Sequence, residues 1–240
     1  MKNVLFRYSD PEKNHFLSEF KNQQIHFSTP EQFNDPFDCQ MEYERTVNEV
    51  LSQKGVANKA STDILSKQLK KKLTNIGICC FCRAKKNQLM WSHYANSHKG
   101  ICIGFNRNVL LSALPNVSVE DVIYQSKHPL HSIPDCMKLN SGNLLEAVIT
   151  PLLTTKYSYW RYERETRLIS QEFGLKDISA QSIQSVSFGL KTSEQDKAKV
   201  YDMLSLPQWK HVLIFQAKKA EHRFALEFSR IDKRKGFACL

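Results

Sequence analysis

Apolar positions recur along the chain at two spacings. Alternating or short unbroken apolar runs predict strands over 3–9, 25–28, 76–81, 100–105, 119–124, 165–170, 183–190, 211–217 and 222–231. Helical spacing predicts helices over 12–22, 46–73, 87–96, 144–157 and 193–204, the second broken near Gly55 with its better half from Asp63 to Leu73. Local chemistry marks the boundaries. Asp10-Pro11 ends the first strand, and Asn34-Asp35-Pro36 is a turn, because Asn and Asp bond their own backbone and Pro presets φ. Asn87 and Ser193 are placed to cap helices, and Lys70 to Lys72 sit in a last helical turn, where cations suit the helix dipole. Residues 126–142, rich in His, Pro and Ser, predict a loop, and 211–231 predict a hairpin with a charged turn.

These elements do not alternate as regular β-α-β units. The pattern predicts an α+β fold with a largely antiparallel sheet flanked by helices. At 240 residues the chain is one large domain or two small ones. We read it as one domain over 1–240, with the helical stretch 42–74 as an insertion or cap. Phosphate-binding G-x-G-x-x-G and P-loop signatures are absent, as is an H-E-x-x-H zinc helix. The longest apolar run, Leu144 to Leu153, contains Glu146 and Pro151 and falls short of the roughly 20 residues a membrane helix needs.

Charge and cysteines add two expectations. The formal net charge is +10, which favours an anionic partner such as nucleic acid. The seven cysteines are irregularly spaced and no secretory signal precedes them, so reduced thiols and a cytoplasmic setting are expected. Cys79-Cys80-Phe81-Cys82 lacks the second ligand pair of a structural zinc site and reads as a buried strand; no metal is expected.

Three segments concentrate polar and aromatic chemistry. The first joins Phe6-Arg7-Tyr8-Ser9 with Ile25 to Pro30, including Ser28. The second is Leu89 to Ala95, which sets Trp91, His93 and Tyr94 on one short helix between two strands. A flat ring could stack on that wall. The third is Trp160 to Arg167. Strand alternation puts Glu163, Glu165 and Arg167 on one face, either as an ion-pair ladder on a solvated sheet or as a carboxylate in a cleft oriented by Arg167. Asn34 and Asp35 lie between Phe33 and Phe37, on a loop that either anchors itself in the core or reaches a ligand.

FNDPF at 33–37, LMWSHYA at 89–95, HKGICIGF at 98–105 and WRYERETRLI at 160–169 together resemble a bacterial family of unknown function. More distantly, the order of a first-strand Arg, a middle aromatic cluster and a late-strand Glu-x-Glu is similar to the ADP-ribosyltransferase superfamily. That resemblance implies a split mixed sheet and an enzyme that cleaves the nicotinamide–ribose bond of NAD and modifies a nucleic-acid or protein acceptor. It implies Glu165 as the catalytic carboxylate, with Glu163 and Arg167 beside it. It places Arg7 at the first-strand position and Tyr94 at the stacking position of an NAD site; from their own segments Tyr8, Ser28, Trp91 and His93 are expected in the same pocket, and Asn34 or Asp35 is expected to reach the substrate from its loop. Pro30 after Ser28-Thr29, and Arg rather than His on the first strand, depart from the superfamily's two main branches. Bacterial transferases of this kind act as toxins or phage-defence effectors, which adds a protein partner from the same operon as an expectation.

Two other classes fit the same residues. Basic charge with Trp, Tyr and Arg suits a module that stacks single-stranded nucleic acid without catalysis. Asp35, Asp38, Glu163 and Glu165 with His93 could hold Mg²⁺ in a nuclease.

Overall fold

The computed structural model describes residues 3–10, 18–53, 55–129 and 144–232. Its strands are β1 Val4–Ser9, β2 Gln24–Phe27, β3 Gly77–Cys82, β4 Ile101–Asn106, β5 Val117–Asp121, β6 Ile123–Gln125, β7 Thr155–Tyr157, β8 Glu165–Ser170, β9 Gly174–Asp177, β10 Ile183–Phe188, β11 Leu213–Lys219 and β12 Leu226–Ile231. Its helices are α1 Ser18–Lys21, α2 Tyr43–Gln53, α3 Lys59–Asn75, α4 Gln88–Tyr94, α5 Arg107–Ser112, α6 Leu144–Thr154 and α7 Glu194–Leu204. No helix of the described residues is long and apolar enough to cross a membrane.

The expected caps form. Asn87 Oδ1 accepts from Leu89 N–H at the start of α4, and the Ser193 side chain accepts from Asp196 N–H at the start of α7. The break near Gly55 separates α2 from α3, and Asn58 Oδ1 caps α3 through Ser61 N–H. The loop expected over 126–142 lies mostly outside the described residues, as does the first half of the helix expected over 12–22.

Eight strands form one sheet in the order β12-β11-β10-β4-β1-β3-β8-β5. Every ladder in it is antiparallel except β10 with β11. The fold is therefore α+β with a mostly antiparallel open sheet flanked by helices. β1 runs in register with β4 from Val4 opposite Asn106 to Ser9 opposite Ile101, and β3 with β8 from Gly77 opposite Ser170 to Cys82 opposite Glu165. Between β1 and β3 the ladder is reduced to Phe6 opposite Cys82. The sheet thus comes close to dividing at its centre, and the strands diverge there.

Apolar packing falls into three clusters. The largest lies along the sheet and includes Leu5, Phe27, Phe81, Ile103, Phe105, Leu168, Val186, Phe188 and Trp209. The second joins α2, α3 and α6 through Val47, Val50, Leu69, Leu73, Val148 and Leu152, seated on Ile76 and Ile78. The stretch 42–74 is thus packed on the sheet through its own apolar layer. The third surrounds Trp91 with Ala95, Cys102 and Leu226. Burial raises the thiols of Cys79 and Cys82 on β3 to about 11, so neither is a reactive thiolate at neutral pH. The five cysteines of the described residues are all unbridged.

The largest departure from the sequence pattern falls at 144–157. The apolar periodicity predicts one helix, but α6 stops at Thr154 and Thr155-Lys156-Tyr157 become β7, parallel to β6. A parallel partner two elements away is invisible to a local pattern. A second departure lies at Glu163, expected on a strand with Glu165. It ends a 3-10 turn over Ser158–Glu163, and Arg164 then takes a left-handed conformation at φ 47° before β8 begins.

Candidate functional site

Where β1 and β3 part, a cavity of about 160 Å³ opens. β1 contributes Phe6, Arg7 and Tyr8, and β3 contributes Cys80, Phe81 and Cys82. Phe33 and Asn34 come from the FNDPF loop, Met90 and Tyr94 from α4, and Glu163 and Glu165 from the ends of the 3-10 turn and β8. All three chemistry-bearing segments of the sequence therefore meet in one place.

Asp38, Lys156, Glu163 and Glu165 line the floor, and Arg167 lies beneath them. Arg167 is fully buried. Its Nε donates to Glu165 Oε1 at 2.9 Å, and its Nη2 donates to Glu165 Oε2 at 3.1 Å and to Asp38 at 2.7 and 2.9 Å. Its Nη1 donates to Cys39 Sγ at 3.0 Å and to the Leu153 carbonyl at 2.8 Å. That carbonyl is in the last turn of α6, where helix carbonyls lack partners and favour a cation. Lys156, turned inward on β7, donates to Glu163 Oε2 at 2.7 Å and lies 3.2 Å from Asp38 and 3.5 Å from Glu165. The Tyr94 hydroxyl donates to Glu163 Oε1.

The two glutamates have opposite environments. Burial opposes ionisation of Glu165, but Arg167 and then Lys156 outweigh it and hold the carboxyl down at about 2. Burial also acts on Glu163, and there Lys156 and Tyr94 do not fully offset it, so its pKa is raised. Glu165 has both oxygens committed to Arg167 and is a fixed anion. Glu163 is the carboxylate with its charge least compensated. At full ionisation, Asp38, Glu163 and Glu165 oppose only Lys156 and Arg167, leaving one excess negative charge beside the cavity.

The other expected residues separate into two groups. Arg7 lines the cavity, with Nη1 3.0 Å from the buried Glu19 carboxylate, so its charge is largely matched. Tyr8 gives the cavity its ring while its hydroxyl donates to the Ala84 carbonyl at 2.7 Å. Asn34 lines the cavity together with Tyr94. Four residues lie elsewhere. Trp91 is fully buried, its Nε1 donating to the Lys85 carbonyl and its ring meeting Tyr8 edge-on at 5.3 Å. It packs behind the cavity wall. His93 is exposed on the outer side of α4, its ring near Tyr94 and Tyr162. Ser28 bridges Ile78 through its backbone, and its hydroxyl lies 3.4 Å from His26 Nδ1. Asp35 caps its own turn by accepting from Phe37 N–H at 2.9 Å, and it faces a second, larger cavity.

Of the two readings of this face, the solvated ladder does not form: Glu163, Glu165 and Arg167 belong to a buried network, because α6 and the FNDPF loop close over that face of β8. Lys156 escapes the sequence reading, since an amphipathic helix through 157 would put it in a solvated last turn. Among the described residues, no group of three or more His, Cys, Asp or Glu side chains is placed to hold a metal ion. Asp38, Glu163 and Glu165 surround two cations.

Comparison with known proteins bears on this segment of the chain. Residues 90–168 match a family model described as "Protein of unknown function (DUF2971)". The match begins on α4 and ends just past Arg167, so it spans Tyr94, Lys156, Glu163 and Glu165. The family of unknown function that the motifs resemble is found over this third of the chain; FNDPF lies before it. No curated protein and no solved structure matches the chain.

Proposed function

We propose that the chain is an NAD-dependent enzyme of ADP-ribosyltransferase type, which breaks the nicotinamide–ribose bond and transfers ADP-ribose to a nucleic-acid or protein acceptor, or to water. The observation that carries this reading is the charge balance at the small cavity. An aromatic-walled space with one uncompensated carboxylate suits a flat cation, and the nicotinamide ring of NAD⁺ is one. The volume is about half the lower end of the roughly 300–1,000 Å³ of drug-sized pockets, so it accommodates a single ring while the rest of the dinucleotide lies outside. The near-division of the sheet between β1 and β3 agrees with the split sheet that the resemblance implies.

The chemistry follows from Glu163. As the bond between ribose C1′ and the ring nitrogen breaks, its electron pair stays with the ring, which leaves neutral, and positive charge moves onto C1′ and the ring oxygen of the ribose. A carboxylate held in place by Lys156 and Tyr94 stabilises that charge without reorganising. The acceptor then bonds to C1′, and its proton passes to Glu163, whose raised pKa suits a base. Glu165 fixes Lys156 and Arg167 beneath it.

Nicotinamide release from NAD⁺ by the purified chain, with RNA, DNA or cell lysate as acceptor, tests this. Release should fall at least ~100-fold in Glu163→Gln, and turnover should rise with pH as Glu163 ionises. Absence of release with every acceptor, together with no NAD⁺ binding by calorimetry, would remove the reading.

A further inference from the structure

A second cavity, of about 410 Å³, lies on the other side of Lys156 and Asp38, which line both spaces. We infer that it binds a nucleobase carrying a phosphate, and that the base belongs to a single strand of nucleic acid. The volume is within the range of about 300–1,000 Å³ that holds one compact ligand. Its walls include Phe37, which is 80% exposed, Tyr157 and the half-buried Trp160. An exposed Phe at the mouth of a cavity meets no need of the fold. It does offer a ring face, and every base has a face to stack on it. The Lys156 ammonium sits 5.0 Å over the Trp160 ring and keeps that ring against the cavity. Gln125 and Asp35 supply hydrogen-bonding groups for a base edge, and Lys127 on the rim supplies a cation for a phosphate. Tyr159, 78% exposed, packs on Tyr157 at 4.8 Å and extends the aromatic surface beyond the cavity. That extension, with a chain of net charge +10, favours a strand over an isolated nucleotide.

This site stands apart from the NAD reading, and its test uses no NAD⁺. The experiment is fluorescence anisotropy of the full chain with a fluorescein-labelled ten-nucleotide single strand of mixed sequence at low salt. The wild type should bind it, more weakly as salt rises. Phe37→Ala, at an exposed position that leaves the core intact, should weaken binding about 5- to 100-fold. Phe224→Ala, at an equally exposed phenylalanine that lines neither cavity, should bind as the wild type does. AMP distinguishes the two sources of the base: failure of millimolar AMP to displace the strand supports the strand, and ready displacement supports the base site with a free nucleotide as its ligand. No binding at low salt, or equal binding by Phe37→Ala and the wild type, would overturn the inference. So would an equal loss of binding in Phe224→Ala, which would show that the strand meets exposed aromatic rings in general rather than this cavity.

Discussion

Glu163 and Glu165 stand two residues apart and have opposite chemistry. Glu165 is held by a guanidinium on both oxygens, whereas Glu163 shares one lysine and one tyrosine hydroxyl. The difference sets a stability test. Arg167→Met leaves Asp38 and Glu165 buried against a single cation and should cost about 3–5 kcal/mol, the range for breaking a buried pair. Glu163→Gln removes the excess negative charge; its one carbonyl oxygen still accepts from Lys156, and its amide N–H donates to the Tyr94 hydroxyl oxygen in place of the bond that Glu163 accepts there. It should leave stability unchanged or raise it. Urea unfolding at pH 7 measures both, and a Glu163→Gln variant as damaged as Arg167→Met would refute the charge balance. The sequence pattern groups Glu165 and Arg167 correctly, since both lie on β8 and alternation reports which strand residues share a face, whereas Glu163 joins them from the end of a 3-10 turn. It is silent on whether that face meets water.

At the scale of elements, the junction between α4 and β4 positions the cavity's aromatic wall. Asn96, Ser97 and His98 all take positive φ, and the chain turns back so that Gly100 N–H reaches the Ala95 carbonyl. A Cβ on Gly100 would lie 2.1 Å from the carbonyl oxygen of Ser9, the last residue of β1. Gly100→Ala should therefore cost about 1–3 kcal/mol and push β1 away from β4, carrying Arg7 and Tyr8 with it. Thermal unfolding reads the cost. An unchanged midpoint would mean that β1 is less tightly fixed than its register with β4 indicates. The glycines of the HKGICIGF motif are visible in the sequence, but the backbone that approaches Gly100 comes from a strand more than ninety residues earlier. The end of α6 is a similar case. Its periodicity continues past Thr154, and only pairing of β7 with β6 ends the helix there and turns Lys156 inward.

The whole molecule responds to pH through the same network. The folded pKa of Glu165, about 2, lies below its usual value of about 4.3, so its contribution to stability is complete above about pH 4.3 and is lost as pH falls toward 2. Glu163 works in the opposite sense. Its folded pKa is raised, so the folded state holds that proton more tightly than the unfolded chain. Stability is lost as pH rises from about 4.3 through the folded value. The stability of Glu163→Gln relative to the wild type should therefore increase with pH over that window, and a difference that stays flat from pH 4 to 8 would show that Glu163 is not strained by burial.

Most of the helices and strands follow from local pattern alone, because apolar periodicity, turn residues and caps such as Asn87 and Ser193 act within a few neighbours. The sequence also determined which three segments carry the polar chemistry. The tertiary structure decided what those segments do. The near-division of the sheet between β1 and β3 makes the small cavity, and α6 and the FNDPF loop bury the charged face of β8. Trp91 is placed behind the wall and Lys156 in the floor. Each of these outcomes depends on chain segments far apart in sequence closing over one another. Burial of that kind changes the energy of a charge by more than any local pattern can express.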